Sequence, residues 1–255
     1  MLPAAQSERV RIILVSPRNP LNIGAAARAM ANFGLNNLVI VAPFAVNWTE
    51  AKSAVGAPEI LRRARVTETL AEAVADCVLV VGTGSLDRRR PEQRILAMPE
   101  AAAALRAVLA AEPNAVADGK TLPRVAILFG SEKHGLTSDD LTWCHAIAVI
   151  DTAEEQPSMN LGQAVAVALY ELTRTADSAA LPLVPDALPD SEQLDRLAAL
   201  IEETMEEANY RTRGLRSANG EALRILLRRL LPTDADLRRI MGLFRRILWR
   251  LHHPR

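Results

Sequence analysis

The sequence is poor in cysteine and in aromatic residues. Its two cysteines, Cys77 and Cys144, form no CxxC pair, so they predict neither a disulfide framework nor a zinc site. We interpret both as buried reduced thiols, Cys77 at the edge of a sheet and Cys144 at the end of a helix. Aromatic residues make up 4% of the chain, which disfavours a binding surface built from many stacking rings.

Long apolar runs and an excess of charge of one sign are also missing. No apolar run approaches the roughly 18 to 20 residues that a membrane-spanning helix needs. The first ten residues lack the basic start and apolar stretch of a secretory signal. Lys plus Arg is 30 and Asp plus Glu is 30, so the formal net charge is zero. These absences predict a cytoplasmic protein with no membrane partner and no metal site.

The first two-thirds of the chain alternates short apolar runs with helical patterns, which predicts an α/β fold with a mostly parallel sheet. The predicted strands are Arg11–Val15, Leu38–Val41, Cys77–Val81, Val125–Phe129 and Ala146–Ile150. The predicted helices between them are Gly24–Phe33, Pro58–Arg63, Glu68–Ala75, Pro99–Ala111 and Asn160–Thr175. Thr137 and Asp140 are spaced as a capping box for one more short helix.

The composition changes after residue 175. Residues 176–190 carry three prolines without a helical period and are interpreted as a linker between a domain of residues 1–175 and an all-α domain of residues 191–255. Three helices are expected in the second domain, starting with caps at Ser191, Asn219 and Thr233. From Ala208 onward there are twelve arginines and three acidic residues. This bias favours contact with an RNA backbone or another partner over a merely solvated helical face.

Three segments carry chemistry-bearing residues after predicted strands. They are the motif 1 segment (residues 16–30), the motif 2 segment (129–136) and the motif 3 segment (157–171). A hydrolase is disfavoured because Ser131 and His134 do not fit the G-x-S-x-G elbow. A nicotinamide-dependent enzyme is a distant alternative, since Asp87 stands where GxGxxG needs its third glycine. By itself, Arg28 could equally be an ion-pair partner at an interface.

The ordered set NIGAAARAM, FGSEKHGL and PSMNLGQAVAVALYE resembles the three motifs of the TrmH family of SPOUT RNA methyltransferases. The resemblance covers about residues 9–175. The Arg-rich helical tail is similar to that of the TrmJ branch of this family, the tRNA (cytidine/uridine-2′-O)-methyltransferases. The resemblance implies an α/β fold with a C-terminal trefoil knot, S-adenosyl-L-methionine (SAM) as cofactor, tRNA as substrate and a homodimer with its active sites at the subunit interface.

The resemblance also implies roles for individual residues. Arg28, Asn22 and Glu132 match the motif residues connected with catalysis. The residues that match the SAM-binding loops are Thr83, Gly84, Ser85, Gly130, Ile150, Ser158, Met159 and Asn160. RNA contacts are expected from Arg18, Arg88, Arg89, Arg238 and Arg245. The loop after Gly84, SLDRRRPEQR, departs from the family pattern and leaves substrate choice open.

The expected reaction is methyl transfer to a ribose 2′-oxygen, at a pyrimidine that begins the anticodon loop. Arginine is a poor general base because the pKa of a guanidinium exceeds about 12, so we expect Arg28 to grip a phosphate and polarise the hydroxyl. Whether the phosphate or Arg28 takes the proton stays open. Two alternatives remain, namely 2′-O-methylation of ribosomal RNA and a non-catalytic RNA-binding protein.

Overall fold

The structure is a computed structural model that describes residues 1–44, 48–84, 91–110, 122–174, 187–210 and 216–253. Its strands are β1 (Val10–Val15), β2 (Leu38–Val41), β3 (Arg65–Thr67), β4 (Cys77–Thr83), β5 (Arg94–Ala97), β6 (Arg124–Phe129) and β7 (Ala146–Val149). Its helices are α1 (Ala4–Ser7), α2 (Pro20–Asn32), α3 (Pro58–Arg63), α4 (Leu70–Val74), α5 (Met98–Ala110), α6 (Ser138–Thr142), α7 (Leu161–Thr173), α8 (Ser191–Glu207), α9 (Arg216–Leu230) and α10 (Asp234–His252), with a 3₁₀ turn at Trp48–Glu50.

The seven strands form one sheet in the order β3-β2-β1-β6-β4-β7-β5, and every paired neighbour is parallel. Both faces are covered, as the side chains of β1 illustrate. Ile12 and Leu14 belong to the core formed with α2, α3, α5 and α7, whereas Ile13 and Val15 belong to the core formed with α4 and the region of α6. This confirms the predicted α/β class. The trefoil knot stays a prediction.

The main differences from the expected elements lie at the edges of the sheet. The edge strands β3 and β5 are not predicted, because β3 has only three residues and the short apolar run of β5 leads directly into α5. The expected place of Cys77 at a sheet edge is wrong, since β4 lies between β6 and β7. Both cysteines are free and buried, as predicted, and burial raises the pKa of each thiol to about 12.

The C-terminal helices α8, α9 and α10 pack around a smaller core of their own. Asp190, rather than Ser191, caps α8, while Ser191 is buried and donates a hydrogen bond to the Cys77 carbonyl at 3.0 Å. Helix α9 begins at Arg216, one turn before the predicted cap at Asn219. The Thr137–Asp140 capping box is confirmed, and so is the cap at Thr233, which forms a capping box with Asp236. Residues 176–186 of the expected linker lie outside the described residues.

Candidate active site

A cavity of about 650 Å³ lies at the carboxyl ends of the central strands. Because all strands are parallel, the segments that follow β4, β6 and β7 meet at this edge, where open α/β sheets commonly bind ligands. Six residues expected to bind the cofactor line it: Thr83, Gly84, Gly130, Ile150, Ser158 and Met159. Its volume falls within the usual range for small-molecule sites. The structure therefore brings segments distant in sequence into one binding cavity.

The motif 2 segment requires glycine at its first turn. A Cβ atom on Gly130 would lie 2.0 Å from the carbonyl carbon of Gly135 and 2.1 Å from the amide nitrogen of Leu136, so any side chain would displace the backbone. Gly135 has a φ of 65°, in the left-handed region that favours glycine. Ser131 and Gly135 form an isolated bridge that closes this turn. These contacts hold the wall of the cavity close against the end of β6.

Glu132 joins the motif 2 segment to the motif 1 segment. Its carboxylate accepts hydrogen bonds from the backbone N–H of Arg18 at 3.0 Å, from the backbone N–H of Asn19 at 3.1 Å and from Asn22 Nδ2 at 3.0 Å. Asn22 Oδ1 in turn accepts from Asn160 Nδ2 at 3.0 Å. This set, which we call the three-motif network, connects all three motif segments beside the cavity.

The charge on Glu132 orients the three-motif network. Partial burial alone would raise the pKa of this carboxyl, but the hydrogen bonds from Asn22 and from backbone amides outweigh it and lower the pKa. An ionised carboxylate only accepts, so Asn22 turns its Nδ2 towards Glu132 and its Oδ1 towards Asn160. Asn160 then has its own Oδ1 free to accept from the Gly162 N–H at 2.9 Å and cap α7.

Helices α2 and α7 pack closely along the site. A Cβ atom on Gly162 would lie 2.7 Å from the Cβ of Ala25, so the small residues of motifs 1 and 3 permit this approach. Arg28 lies on the exposed side of α2, six residues after Asn22, and does not line the cavity. Leu21, seven residues before Arg28 and therefore on the same helix face, is 54% exposed. Arg28 therefore lies on an exposed face of α2, outside the cavity.

The other predicted residues fall into three groups. The Thr83 hydroxyl donates to the Leu128 carbonyl at 2.8 Å, so it links the ends of β4 and β6 as well as lining the cavity. Arg238 and Arg245 are exposed on α10, where Arg238 pairs with Asp234 at 3.8 Å; neither lines the cavity. Ser85, Arg88 and Arg89 lie outside the described residues.

Sequence reasoning missed several residues at this edge of the sheet. Asp151 and Glu154, between β7 and the motif 3 segment, line the cavity. Two carboxylates directly after a buried strand were the available signal. Ser53 was also missed, although its hydroxyl donates to the Leu21 carbonyl at 2.6 Å and holds the first turn of α2. That contact needs the adjacent Gly24, where a Cβ atom would lie 2.2 Å from Ser53 Oγ.

Trp143 connects the site to the C-terminal helices. It follows α6, the helix after the motif 2 segment, and its ring lies 4.2 Å from the guanidinium carbon of Arg224 and 5.1 Å from that of Arg228. Arg224 also donates to Thr142 Oγ1 at 2.9 Å. The Arg228 side chain is fully buried and pairs with Asp195 of α8 at 3.3 Å. Cation–π and hydrogen-bond contacts therefore fix α9 against α6.

The described ranges also bear on the expected absence of a metal site and of a membrane partner. No group of three or more His, Cys, Asp or Glu side chains there is arranged to hold a metal ion. Of the helices in the same ranges, none combines the length and apolar character needed to cross a bilayer.

Known proteins are similar to this chain in sequence and in fold. The model of the SpoU rRNA methylase family matches residues 9–170. The tRNA (cytidine/uridine/adenosine-2′-O-)-methyltransferase TrmJ of Pseudomonas aeruginosa is 39% identical over 65% of this chain, which spans 60% of that protein's length. The tRNA (cytidine/uridine-2′-O-)-methyltransferase TrmJ of Klebsiella pneumoniae is 32% identical over 92% of this chain and 95% of its own. The crystal structure of TrmJ from Z. mobilis superposes with a TM-score of 0.75 at 31% identity, over 93% of this chain and 98% of its own. The chain belongs to the SpoU rRNA methylase family.

Proposed function

We propose that this protein is a SAM-dependent methyltransferase that modifies a ribose 2′-oxygen of tRNA, at a pyrimidine that begins the anticodon loop. The three-motif network beside the cavity carries the proposal, because it joins the expected cofactor loops to the helix that bears Arg28. The relatives from P. aeruginosa and K. pneumoniae are tRNA methyltransferases, which supports tRNA as substrate. The SpoU family is named after ribosomal RNA methylases, which makes ribosomal RNA the second candidate.

The cavity fits SAM in size and in chemistry. Ile150, Met159 and Leu161 offer apolar contacts to a nucleoside, while Asp151 and Glu154 place negative charge near a cationic ligand. Gly130 keeps the wall of the cavity free of a side chain. When bound, SAM supplies an electrophilic methyl group on a sulfonium. The residues proposed to hold it are those six of the expected set that line the cavity, with Asn160 fixing the start of α7.

Within this proposal the roles of the motif residues differ. Glu132 and Asn22 are positioning residues, since their polar atoms hold the motif 1 segment and α7. Arg28 is the catalytic residue, because it is an exposed cation on the helix that this network fixes. Its guanidinium grips the phosphate next to the target ribose and orients the 2′-hydroxyl for in-line attack. The C-terminal region (residues 191–255) supplies further contacts with the RNA backbone, among them those of the exposed arginines of α10.

The functional unit in this proposal is a homodimer. Leu21 on α2 is 54% exposed and Tyr170 on α7 is 55% exposed, and we take the exposed surface of these two closely packed helices, which also carries Arg28, as the subunit interface. A second copy that covers this surface would desolvate Arg28 and place it opposite the partner's cavity. Light scattering of Tyr170→Glu tests this arrangement. We expect a monomer that binds SAM but does not methylate, and a dimer with normal turnover would contradict it.

The decisive test of the reaction uses purified protein, methyl-labelled SAM, and total tRNA beside ribosomal RNA. Nuclease digestion and mass analysis of the nucleosides identify the product. A 2′-O-methylated pyrimidine in tRNA alone is the expected result, and fragment mapping then locates the position. Label in ribosomal RNA alone favours the second candidate. Label in neither RNA, with SAM bound, favours a non-catalytic RNA-binding protein.

A further inference from the structure

An exposed aromatic ring lies beside the motif 1 segment and has no role in the site described above. Phe44 follows β2 and is 62% exposed, although a phenylalanine exposed to this extent is unfavourable in water. The guanidinium carbon of Arg18 lies 4.4 Å from the centre of its ring. This contact covers one side of the ring, and the large exposed fraction leaves the remainder open to a ligand.

The backbone holds this ring and guanidinium in a fixed relation to the three-motif network. The Phe44 N–H donates to the Pro17 carbonyl at 3.2 Å, and the Arg18 N–H donates to Glu132 at 3.0 Å. Ala42, two residues before Phe44, has a φ of 44°, in the left-handed region that residues other than glycine rarely adopt. Backbone strain of this kind clusters at functional sites.

We propose that Phe44 and Arg18 form a stacking platform for an unpaired nucleobase of the RNA substrate, adjacent to the nucleotide that is methylated. The proposal rests on the RNA-modifying function given above and adds a binding site to it. Any base can stack on an aromatic ring, and the guanidinium adds positive charge for the neighbouring phosphate. Methyl transfer to a ribose does not by itself require recognition of the base. The position of the RNA loop in the active site therefore depends on contacts such as base stacking.

A second copy of the chain is the competing occupant, because an exposed ring can also lie in a subunit interface. The two occupants predict different effects of removing the Phe44 ring. If an RNA base covers Phe44, removal of the ring weakens RNA binding and leaves the oligomeric state unchanged. If a second subunit covers it, removal of the ring shifts the oligomeric state.

The experiment compares Phe44→Ala with Phe44→Tyr, which keeps the ring, and with Val66→Ala, which shortens an exposed side chain on the neighbouring strand β3. We expect Phe44→Ala to raise the KM for a tRNA transcript about tenfold, equivalent to ~1.4 kcal/mol, with kcat and the Kd for SAM unchanged. Phe44→Tyr and Val66→Ala are expected to keep the wild-type KM. An unchanged KM in Phe44→Ala, or an altered mass in light scattering, overturns the proposal.

A second measurement separates this proposal from the reaction itself. A single-stranded RNA oligonucleotide containing 2-aminopurine reports stacking through fluorescence quenching, whether or not the RNA is methylated. We expect the wild-type protein to quench the fluorophore and Phe44→Ala to lose most of that quenching. Equal quenching by both proteins refutes the platform, even where tRNA methylation is observed. Loss of quenching in the variant supports the platform, even where the methylated RNA proves to be ribosomal.

Discussion

Replacing Glu132 with glutamine tests whether its carboxylate positions the motif 1 segment or takes a proton. The carboxylate accepts from three donors, namely the backbone amides of Arg18 and Asn19 and the side chain of Asn22. A glutamine oxygen at Oε1 can keep the bonds to Asn19 and Asn22. The NH₂ group of the glutamine then faces the Arg18 N–H. Both groups are donors, so the hydrogen bond from Arg18 to the charged carboxylate is lost.

The size of the effect follows from this geometry. A hydrogen bond to a charged group contributes about 1.5–3 kcal/mol. Glu132 is exposed, so solvent screening argues for the lower end of that range. We expect Glu132→Gln to lower kcat/KM by ~1.5–2 kcal/mol, which corresponds to roughly ten- to thirty-fold. Glu59→Gln, which alters an exposed glutamate on α3, is the matched control and should leave kcat/KM unchanged.

The assay is steady-state methylation of tRNA from pH 6 to 9, with the Kd for SAM measured by calorimetry. The lowered pKa of Glu132 keeps it ionised throughout this range, so a positioning role predicts the same pH profile for Glu132→Gln and wild type. A loss beyond about 10³-fold, with SAM binding intact and an altered profile, would instead identify Glu132 as a general base. Wild-type kcat/KM in the variant would refute the positioning argument.

Three further predictions test the glycine turn, the buried histidine and the buried arginine. Gly130→Ala, whose Cβ would lie 2.0 Å from the Gly135 carbonyl carbon, should weaken SAM binding at least tenfold in calorimetry. The control Gly242→Ala lies on α10 outside the cavity, where a Cβ would meet no atom within 4 Å, and should bind SAM normally; equal affinities would contradict the geometry. Burial lowers the pKa of His145 to about 3. Between about pH 6.5 and 3 the imidazole is therefore protonated in the unfolded state alone. The free energy of unfolding should fall by about 1.5 kcal/mol from pH 6.5 to 5 as a result. His145→Gln should flatten that slope in urea titrations, and an unchanged slope would assign it to other groups. Asp195→Asn leaves the buried Arg228 cation without its charged partner and should destabilise the protein by about 2–3 kcal/mol. Arg228→Met should change the free energy of unfolding by less than about 1 kcal/mol in the same titrations. The variant leaves no unpaired charge, because Asp195 still forms its ion pair with Arg224 at 3.7 Å.

Much of the fold could be predicted from local pattern. The strands β1, β2, β4, β6 and β7 are buried and rich in β-branched residues, so their apolar runs are visible in the sequence within two residues. The edge strands β3 and β5 are short and mostly exposed, and they form because a neighbouring strand offers its open backbone groups. Asp190 was missed as a cap because Ser191 also has a suitable side chain. Ser191 is instead buried against Cys77, a residue 114 positions away in sequence.

In the candidate site, too, the sequence indicates which residues matter but not what each of them contacts. The motif spacing identified Asn22, Glu132 and Asn160, but no local pattern reveals that Glu132 accepts from a side chain 110 residues earlier. In the proposed mechanism that contact makes Glu132 a positioning residue, because the bonds it accepts from the motif 1 segment compete with proton transfer at the same oxygens. The ionised carboxylate also fixes which amide atom each asparagine presents, over a further 138-residue separation. A single charge therefore sets the orientation of polar groups in all three motifs, and substitutions at any of them should act on the others through Glu132.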